Sequence, residues 1–178
     1  MKTFLEIGTC DFDTLNYLAD RGWQGVQVEP IKKYQDNIER KEHVFYENSA
    51  IYYKDTDSLK MNIAPDDVVA KDHDYAGMSS IMFDNNQKLS ETITVNGITF
   101  ETLFKKYNIQ TVDLLKIDVE GYDWHVLSLF PYHITKPKYI QAECKHWGGN
   151  DKPYMKALLV GHGYHVTLDH DNLYAILI

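Results

Sequence analysis

The sequence lacks several features that would point to a familiar class of protein. It has only two cysteines in 178 residues. Neither Cys10 nor Cys144 stands in a CxxC or Cys/His ligand pattern, so neither a disulfide scaffold nor a zinc finger is indicated. No apolar run approaches the roughly 20 residues that cross a bilayer, and no basic-then-apolar leader precedes the first strand-like segment. We therefore expect a reduced, cytoplasmic protein that binds no membrane.

Positive charge is also scarce. The chain has 18 Lys and Arg against 26 Asp and Glu, which gives a formal net charge of -8. Because nucleic acids and anionic bilayers are bound by basic surfaces, we expect neither as a partner. The chain is 44% hydrophobic and 25% charged, values typical of a globular protein with a core. Its length predicts a single domain spanning residues 1–178.

Strand-like and helix-like segments alternate through the first third of the chain. The segment after the first strand has helical periodicity, with Asp13 as its expected N-cap, and Ile31, Tyr34 and Ile38 form an apolar helical stripe after the second. The order β-α-β-α-β predicts a parallel sheet with right-handed crossovers. The three strands are TFLEIG, WQGVQVEP and HVFYENSAIYY.

The middle of the chain departs from this alternation. DSLKMNI alternates apolar and polar residues, as a strand does. ETITVNGITF has two β-rich halves around Asn96-Gly97, a dipeptide that fits a tight hairpin turn. The polar segment between them includes Ser79 and Ser80, which either contact substrate or belong to an ordinary loop. We predict an inserted β-meander and loop over about residues 52–100, between the third and fourth strands.

Regular alternation returns after residue 100. ETLFKKYN and YDWHVLSLF have helical patterns on either side of a fourth strand, VDLLKIDVEG, and a fifth strand and a further helix follow. The last two strands are separated only by residues 169–172, and so short a connection forces them to be antiparallel. The predicted fold is therefore α/β, with a mostly parallel sheet and an antiparallel last strand.

Polar side chains stand where the predicted strands end. In open α/β sheets, ligands bind outside the carboxyl ends of the strands. A row of acids at that edge indicates a polar ligand that carries hydroxyls, amines or a positive charge. The side chains concerned are Glu6, Glu29, Asn48, Ser49, Asp118, Glu120 and Glu143.

The turn after the first strand, EIGTCDFD, differs from a dinucleotide-binding loop. It lacks the second and third glycines of GxGxxG. Asp11 and Asp13 would also place negative charge where a pyrophosphate must lie. An acid two residues before Gly8 instead suits a cationic, amino-acid-like ligand, and Glu29 is suited to accept hydrogen bonds from both hydroxyls of a ribose.

Together these segments resemble the FkbM-type methyltransferases, which are S-adenosylmethionine-dependent enzymes with a Rossmann-like class I fold. The resemblance extends from Thr3 to Ile178, and the terminal antiparallel pair is similar to the reversed seventh strand of that fold. It departs at Phe12, where a glycine usually ends the first motif. The segments that support it are FLEIGTCDFDTL, GVQVEP, ENSAI, ITFETLFKKY, KYIQAEC and, most specifically, KIDVEGYD.

The resemblance implies S-adenosylmethionine as cofactor and a role for each matching residue. Glu6 and Gly8 match the loop that holds the methionine part of the cofactor, and Glu29 matches the acidic residue that binds its ribose. Asp118 falls at the site that faces the sulfonium and the methyl group, and residues 48–50 fall near the adenine. The predicted cofactor-binding residues are Glu6, Gly8, Thr9, Asp11, Glu29, Pro30, Asn48, Ser49, Ala50, Asp118 and Glu120.

Asp118 and His146 are the predicted catalytic residues, as candidate general bases. His146 follows Glu143 by three residues at the expected active edge, although it could also be an ordinary loop histidine. Glu120 could instead shape the turn or cap the next helix. Asp118, Glu143 and His146 also offer ligands for a divalent metal. The resemblance leaves this open, since some sugar O-methyltransferases of related fold use magnesium.

The sequence thus predicts an S-adenosylmethionine-dependent O-methyltransferase whose acceptor is a hydroxyl on a sugar or another small molecule. Two alternatives remain. One is a catalytically silent cofactor-binding or interaction module of the same fold, which Phe12 favours. The other is a nucleotide-dependent oxidoreductase, which the first turn disfavours.

Overall fold

A computed structural model of the protein describes residues 1–12, 15–72, 74–81 and 91–178, with the backbone alone for residues 74 and 75. Its elements alternate strand and helix at both ends of the chain. In chain order they are β1 (Thr3–Ile7), α1 (Asn16–Ala19), β2 (Gln24–Val28), α2 (Lys32–Asn37), β3 (Val44–Glu47), β4 (Ala50–Ile51), β5 (Thr56–Ile63), α3 (Asp66–Val69), α4 (Asp74–Gly77), β6 (Glu91–Ile98), α5 (Phe100–Tyr107), β7 (Leu114–Ile117), α6 (Asp123–Leu129), β8 (Tyr139–Glu143), α7 (Asp151–Gly161), β9 (Tyr164–Leu168) and β10 (Asn172–Leu177).

Seven strands form the main sheet, in the order β3-β2-β1-β7-β8-β10-β9. The first five of these pair in parallel. Strand β10 runs antiparallel to both β8 and β9. The predicted fold, a Rossmann-like class I methyltransferase sheet with an antiparallel last strand, is confirmed.

The core lies mainly on one face of this sheet. Leu5 and Ile7 of β1 and Leu115 and Ile117 of β7 are buried there among residues of α5, α6 and α7. On the opposite face, Phe4 packs against Leu15, Leu18 and Val44. Because β7 is flanked by β1 and β8, its carboxyl end is held at the centre of the sheet's ligand-binding edge.

The insertion forms a second, three-stranded sheet in the order β4-β6-β5, so the predicted β-rich insertion between the third and fourth strands is confirmed. Leu59, Met61 and Ile63 of β5 are buried and Lys60 is exposed, as the alternation in the sequence predicts. These apolar residues pack on Ile31 and Tyr34 beside the main sheet. The insertion therefore covers part of the edge where β1 and β2 end.

The predicted hairpin at Asn96-Gly97 is wrong, because both residues lie inside the continuous strand β6. Gly97 does not have the positive φ that a tight hairpin turn uses. A Cβ atom there would lie 3.0 Å from Thr56 Cγ2 and 3.2 Å from Tyr52 Cβ. The glycine therefore permits a close approach of neighbouring strands rather than a turn.

The predicted third strand, HVFYENSAIYY, is divided in two. It leaves the main sheet after β3 and joins the second sheet as β4. The bend follows from Asn48, whose Nδ2 donates to the carbonyl oxygens of Glu29 at 2.8 Å and Pro30 at 3.0 Å. An asparagine that binds a neighbouring loop in this way competes with strand pairing.

Several smaller features complete the fold. Thr99 caps α5, since its side chain accepts a hydrogen bond from the backbone N–H of Thr102 at 3.2 Å. Cys10 and Cys144 are free thiols and are buried. The predicted N-cap Asp13 lies outside the described residues. Among the residues that the structure describes, no helix has the length and apolar character needed to cross a membrane.

Candidate functional site

The turn after β1 passes directly over the end of β7. Gly8 has a φ of 84° and its N–H donates to Val28 O at 2.9 Å. A Cβ atom on Gly8 would lie 1.8 Å from the carbonyl oxygen of Asp118. Only glycine satisfies both the dihedral angle and this close approach, so the turn places the first loop against Asp118.

Glu29 anchors the loops that follow β1 and β2. Its Oε2 accepts a hydrogen bond from Cys10 N at 2.7 Å, and its Oε1 accepts one from Ile31 N at 2.8 Å. The residue is only 4% exposed, and burial raises the pKa of the carboxyl to about 7, against the opposing effect of the two N–H donors. Each carboxylate oxygen can accept more than one hydrogen bond, so Glu29 can also accept from a ligand.

Two adjoining pockets lie at this edge and share Gly8, Pro30, Met61 and Val119 in their lining. One pocket also contains Glu29 and Asp118. The other is lined mostly by apolar side chains. The residues of the predicted cofactor-binding set that line them are Gly8, Glu29, Pro30, Ser49, Ala50 and Asp118.

Sequence reasoning missed two contributors to this cleft. Met61 of the insertion lines both pockets, and Tyr34 of α2 lines the one that contains Glu29. Tyr34 is 4% exposed, and its hydroxyl has no hydrogen-bond partner among the described residues. Tyr34 was recognised only as part of an apolar stripe, and Met61 only as part of an alternating strand, so neither pattern gave a functional signal.

A buried carboxylate fixes the turn within KIDVEGYD. Asp123 Oδ1 accepts a hydrogen bond from Val119 N at 3.0 Å, and Oδ2 accepts one from Gly121 N at 2.9 Å. Both Glu120 and Gly121 have positive φ, 50° and 94°. Burial raises the pKa of Asp123 to about 7, although these hydrogen bonds lower it. In the sequence, Asp123 is an acid at the start of a helix, two residues after a glycine, and this position did not identify it as a site residue.

Glu120 extends away from the pockets and toward His146. Its Oε2 lies 3.1 Å from His146 Nε2, and Glu143 Oε2 lies 3.8 Å from the same nitrogen. Lys145 Nζ lies 2.5 Å from Glu143 Oε1 and 3.5 Å from Glu120 Oε2. Burial raises the pKa of Glu143 to about 7, and the Lys145 ammonium opposes this rise. The loop after β8 therefore places the imidazole of His146 and the ammonium of Lys145 next to the carboxylates of Glu120 and Glu143.

A model of the FkbM methyltransferase domain matches residues 6–166 of this sequence. The chain belongs to the FkbM methyltransferase family. No curated protein matches the sequence. Among solved structures, a fibrillarin/Nop5p complex is similar, with a TM-score of 0.47 and 13% sequence identity over 98% of this chain and 70% of that one.

Membership of a methyltransferase family implies S-adenosylmethionine as the methyl donor, and the cleft of this FkbM domain fits such a ligand. Glu29 provides a buried acceptor for hydroxyl groups, as a ribose requires. Pro30, Ala50 and Ile51 provide apolar surface beside it. Thr9, another predicted cofactor-binding residue, is buried and lines neither pocket, and its hydroxyl has no hydrogen-bond partner among the described residues.

Glu6 of the FkbM domain lies beneath the cleft rather than in its lining. It is fully buried, and its Oε2 accepts a hydrogen bond from Gln27 Nε2 at 3.0 Å. Lys116 Nζ lies 3.4 Å from Glu6 Oε1 and 3.6 Å from Asp118 Oδ2. Gln27, Glu6 and Lys116 are cross-strand neighbours in the sheet, so Glu6 is connected to Asp118 through Lys116.

The hydroxyl of Ser49 is directed away from any ligand. It donates to Glu47 Oε1 at 2.7 Å, while Lys106 Nζ and Tyr107 OH donate to Glu47 Oε2 at 2.7 and 2.8 Å. This network attaches α5 to the end of β3. Ser49 therefore lines the cleft while its hydroxyl is engaged by Glu47, and Asn48 shapes the loop through the carbonyl groups of Glu29 and Pro30.

Asp11 and Phe12 lie at the outer side of the first loop. Asp11 Oδ2 accepts a hydrogen bond from Asn37 Nδ2 at 3.4 Å. Phe12 is 54% exposed, and its ring lies beside Gly77 of α4. In the part of the chain that the structure describes, Phe12 lines neither pocket. The residue that replaces the family's glycine thus contacts the insertion instead of filling the cleft.

Among the residues that the structure describes, two groups of side chains have donor atoms close enough to share a metal ion. They are Glu120, Glu143 and His146, and Asp118, Asp123 and Glu143, with donor atoms within 4.8 Å of one another in each group. The predicted set of Asp118, Glu143 and His146 is divided between them. Lys145 already places an ammonium between Glu120 and Glu143, and the carboxylate of Asp123 is used by the turn. The arrangement therefore does not favour a metal ion.

Proposed function

We propose that this FkbM domain transfers the methyl group of S-adenosylmethionine to a hydroxyl of a sugar or another small polyhydroxylated molecule. The observation that supports this most is the position of Asp118. It lines the Glu29 pocket and is joined through Lys116 to Glu6. The Glu120–His146 pair lies nearby, on the same motif and the following loop. A candidate base and a candidate cofactor cleft thus lie together.

When bound, S-adenosylmethionine would supply a methyl group activated by a sulfonium. Glu29 would hold the ribose, Pro30 and Ala50 would contact the adenine, and Asp118 would face the reacting end. The main contribution of the protein is alignment, because holding the acceptor oxygen in line with the methyl carbon lowers the barrier by several kcal/mol.

A hydroxyl is weakly nucleophilic until it loses its proton, so a base assists the transfer. Asp118 and His146 are the two side chains that would take this proton, on a carboxylate oxygen or on the imidazole. The contact with Glu120 holds the imidazole ring of His146 in position. The ammonium of Lys145 pairs with Glu120 and Glu143. It thereby reduces the electrostatic repulsion among the carboxylates of Asp118, Glu120 and Glu143.

The charge of this edge suggests the class of acceptor. Asp118, Glu120 and Glu143 outnumber Lys145, so a phosphorylated or carboxylated acceptor would be repelled. A neutral acceptor with several hydroxyls would find hydrogen-bond acceptors among these carboxylates. We propose a neutral polyhydroxylated acceptor for this reason.

The test is a methyl-transfer assay that follows release of S-adenosylhomocysteine from the wild-type protein with neutral sugars, polyols and their phosphorylated forms. We expect turnover with neutral acceptors and a product methylated on oxygen. Asp118→Asn and His146→Gln are compared with His165→Gln on exposed β9. Removing the base should lower kcat by about 100-fold or more, and the control should not. Cofactor binding without turnover on any acceptor would instead indicate the catalytically silent module.

A further inference from the structure

Lys116 is an unusual residue for its position. It lies on β7, the central strand of a parallel sheet, where both faces are normally covered by apolar side chains. Its side chain is only 12% exposed, and its ammonium lies between the carboxylates of Glu6 and Asp118. Removing an ammonium from water is unfavourable unless it is paired and hydrogen-bonded. Apolar packing does not require a side chain of this length here, since the neighbouring Leu115 and Ile117 supply the core contacts.

The pairing of Lys116 leaves part of its binding capacity unused. The distances of 3.4 and 3.6 Å to Glu6 Oε1 and Asp118 Oδ2 exceed the roughly 2.7–2.9 Å of charge-assisted hydrogen bonds. An ammonium has three donors, so Lys116 is held electrostatically in place while retaining the capacity to donate to a ligand. Asp118, 38% exposed in its side chain, connects this ammonium to the pocket that it shares with Glu29 and Gly8.

The charges around Lys116 match an amino-acid zwitterion. Glu6 and Asp118 contribute two negative charges and Lys116 one positive charge. A ligand that carries an ammonium, a carboxylate and a sulfonium has the opposite net charge. Lys116 is the cation that lies next to Asp118, a residue of the pocket lining, with 3.6 Å between its Nζ and Asp118 Oδ2.

We propose that Lys116 binds the α-carboxylate of the methionine part of the cofactor. The inference rests on the cofactor use within the proposed function, and it adds a binding residue that neither the composition nor the motif spacing indicated. Fully buried Glu6 has a supporting role, because its carboxylate lies 3.4 Å from the Lys116 ammonium and holds it in place.

The test measures the affinities of three ligands by calorimetry. S-adenosylhomocysteine has both charged groups, its decarboxylated analogue keeps only the amine, and 5′-methylthioadenosine has neither. For the wild-type protein we expect the decarboxylated analogue to bind about 10- to 100-fold more weakly than S-adenosylhomocysteine, as the loss of a charged hydrogen bond predicts. Lys116→Met should remove this preference and leave the affinity for 5′-methylthioadenosine unchanged.

Lys138→Met is the matched control, because Lys138 pairs with Asp113 at 2.7 Å at the opposite edge of the same sheet. This variant should retain the wild-type preference. If Lys116→Met retains it too, or if the wild-type protein binds both S-adenosyl ligands equally, Lys116 is not the carboxylate site. If the wild-type protein binds none of the three ligands, it is the proposed function that fails.

Removing Lys116 alone leaves Glu6 buried without its cation and could prevent folding. The double variant Glu6→Gln/Lys116→Met removes both charges and avoids this. The same loss of preference is expected from it. Should neither variant fold, equal affinities of the wild-type protein for the two S-adenosyl ligands still overturn the proposal, and a preference of tenfold or more supports a cationic site for the carboxylate.

Discussion

At the scale of single residues, we propose that Glu29 combines a structural and a binding role in one buried carboxylate. Its two oxygens hold the N–H groups of Cys10 and Ile31, which fixes the loops on either side of the cleft. Glu29 also lines the pocket that contains Asp118. A glutamine amide at position 29 would keep one acceptor oxygen and would place its own N–H group against the backbone N–H of Cys10 or Ile31.

We therefore expect Glu29→Gln to weaken the binding of S-adenosylhomocysteine by about 10- to 100-fold, the effect of losing hydrogen bonds to a charged group. Calorimetric titration measures it. Glu47→Gln is the control, because Glu47 is an equally buried acid at the end of the neighbouring strand, with partners in α5. Glu47→Gln should lower the melting temperature and leave the affinity within about twofold of wild type. Equal losses of affinity in both variants would contradict the role assigned to Glu29.

Gly8 provides a second prediction at this scale. Gly8→Ala would combine a positive φ with a Cβ atom 1.8 Å from Asp118 O. Gly22→Ala has a similar φ, 79°, but no atom within 4 Å. We expect Gly22→Ala to lower the free energy of unfolding by about 1–2 kcal/mol, and Gly8→Ala to lower it by about 4 kcal/mol or more, or to prevent folding. Similar denaturation midpoints for the two variants would show that the first loop shifts to accommodate the Cβ atom at little cost in free energy, which would contradict this prediction.

At the scale of elements, the KIDVEGYD turn joins β7 to α6 and determines where Asp118 and Glu120 point. Asp123 stabilises it by accepting from two backbone N–H groups while fully buried. The turn sends Asp118 toward the cofactor cleft and Glu120 toward His146. Two acids that are two residues apart thus serve different parts of the site.

Asp123→Asn should destabilise the protein, because the amide loses one acceptor and places a donor against a backbone N–H. We expect a loss of about 1–3 kcal/mol in the free energy of unfolding, measured by denaturant titration. The loss should depend on pH. Because burial raises the pKa of Asp123 to about 7 in the folded state, the wild-type protein loses stability from this group as pH rises from about 4 to about 7. The asparagine does not titrate.

The difference between wild type and Asp123→Asn should therefore be larger at pH 5 than at pH 8. Glu29 and Glu143 titrate in the same range, but they remain in both proteins and cancel in the comparison. A difference that grows with pH would mean that the carboxylate is stabilised as an anion by the turn.

Much of the architecture was predictable because the strand and helix periods are clear where one face of an element is buried. The alternation of DSLKMNI and the short connection between the last two strands both predicted the observed pairing. The prediction at Asn96-Gly97 was wrong because this dipeptide is compatible both with a hairpin turn and with a strand that has close neighbours. The nearby side chains of Thr56 and Tyr52, which are distant in sequence, determine that a strand forms.

The candidate site was predictable only in part. Acids at strand ends mark the ligand edge, so Glu29 and Asp118 were accessible from sequence. Whether an acid faces the cleft or a neighbour depends on side chains that are distant in sequence. Glu120 meets His146, and Ser49 meets Glu47, in contacts that no local pattern specifies.

At the scale of the whole molecule, the insertion and the main sheet share an apolar cluster. Cys10, Ile31 and Tyr34 from the main fold pack with Met61 and Val95 from the insertion. We propose that the chain is one domain in which the insertion has no independent core. Calorimetry should then give a single unfolding transition, with equal calorimetric and van't Hoff enthalpies. Two separate transitions would show that the insertion folds by itself.

The central claim is that the cofactor lies at the edge where β1, β2 and β7 end, and a crystal structure of the protein with S-adenosylhomocysteine tests it most directly. We predict that the ribose hydroxyls bind Glu29 and that the sulfur lies within reach of Asp118. A ligand found elsewhere on the molecule, with Glu29 bonded only to Cys10 and Ile31, would contradict the account.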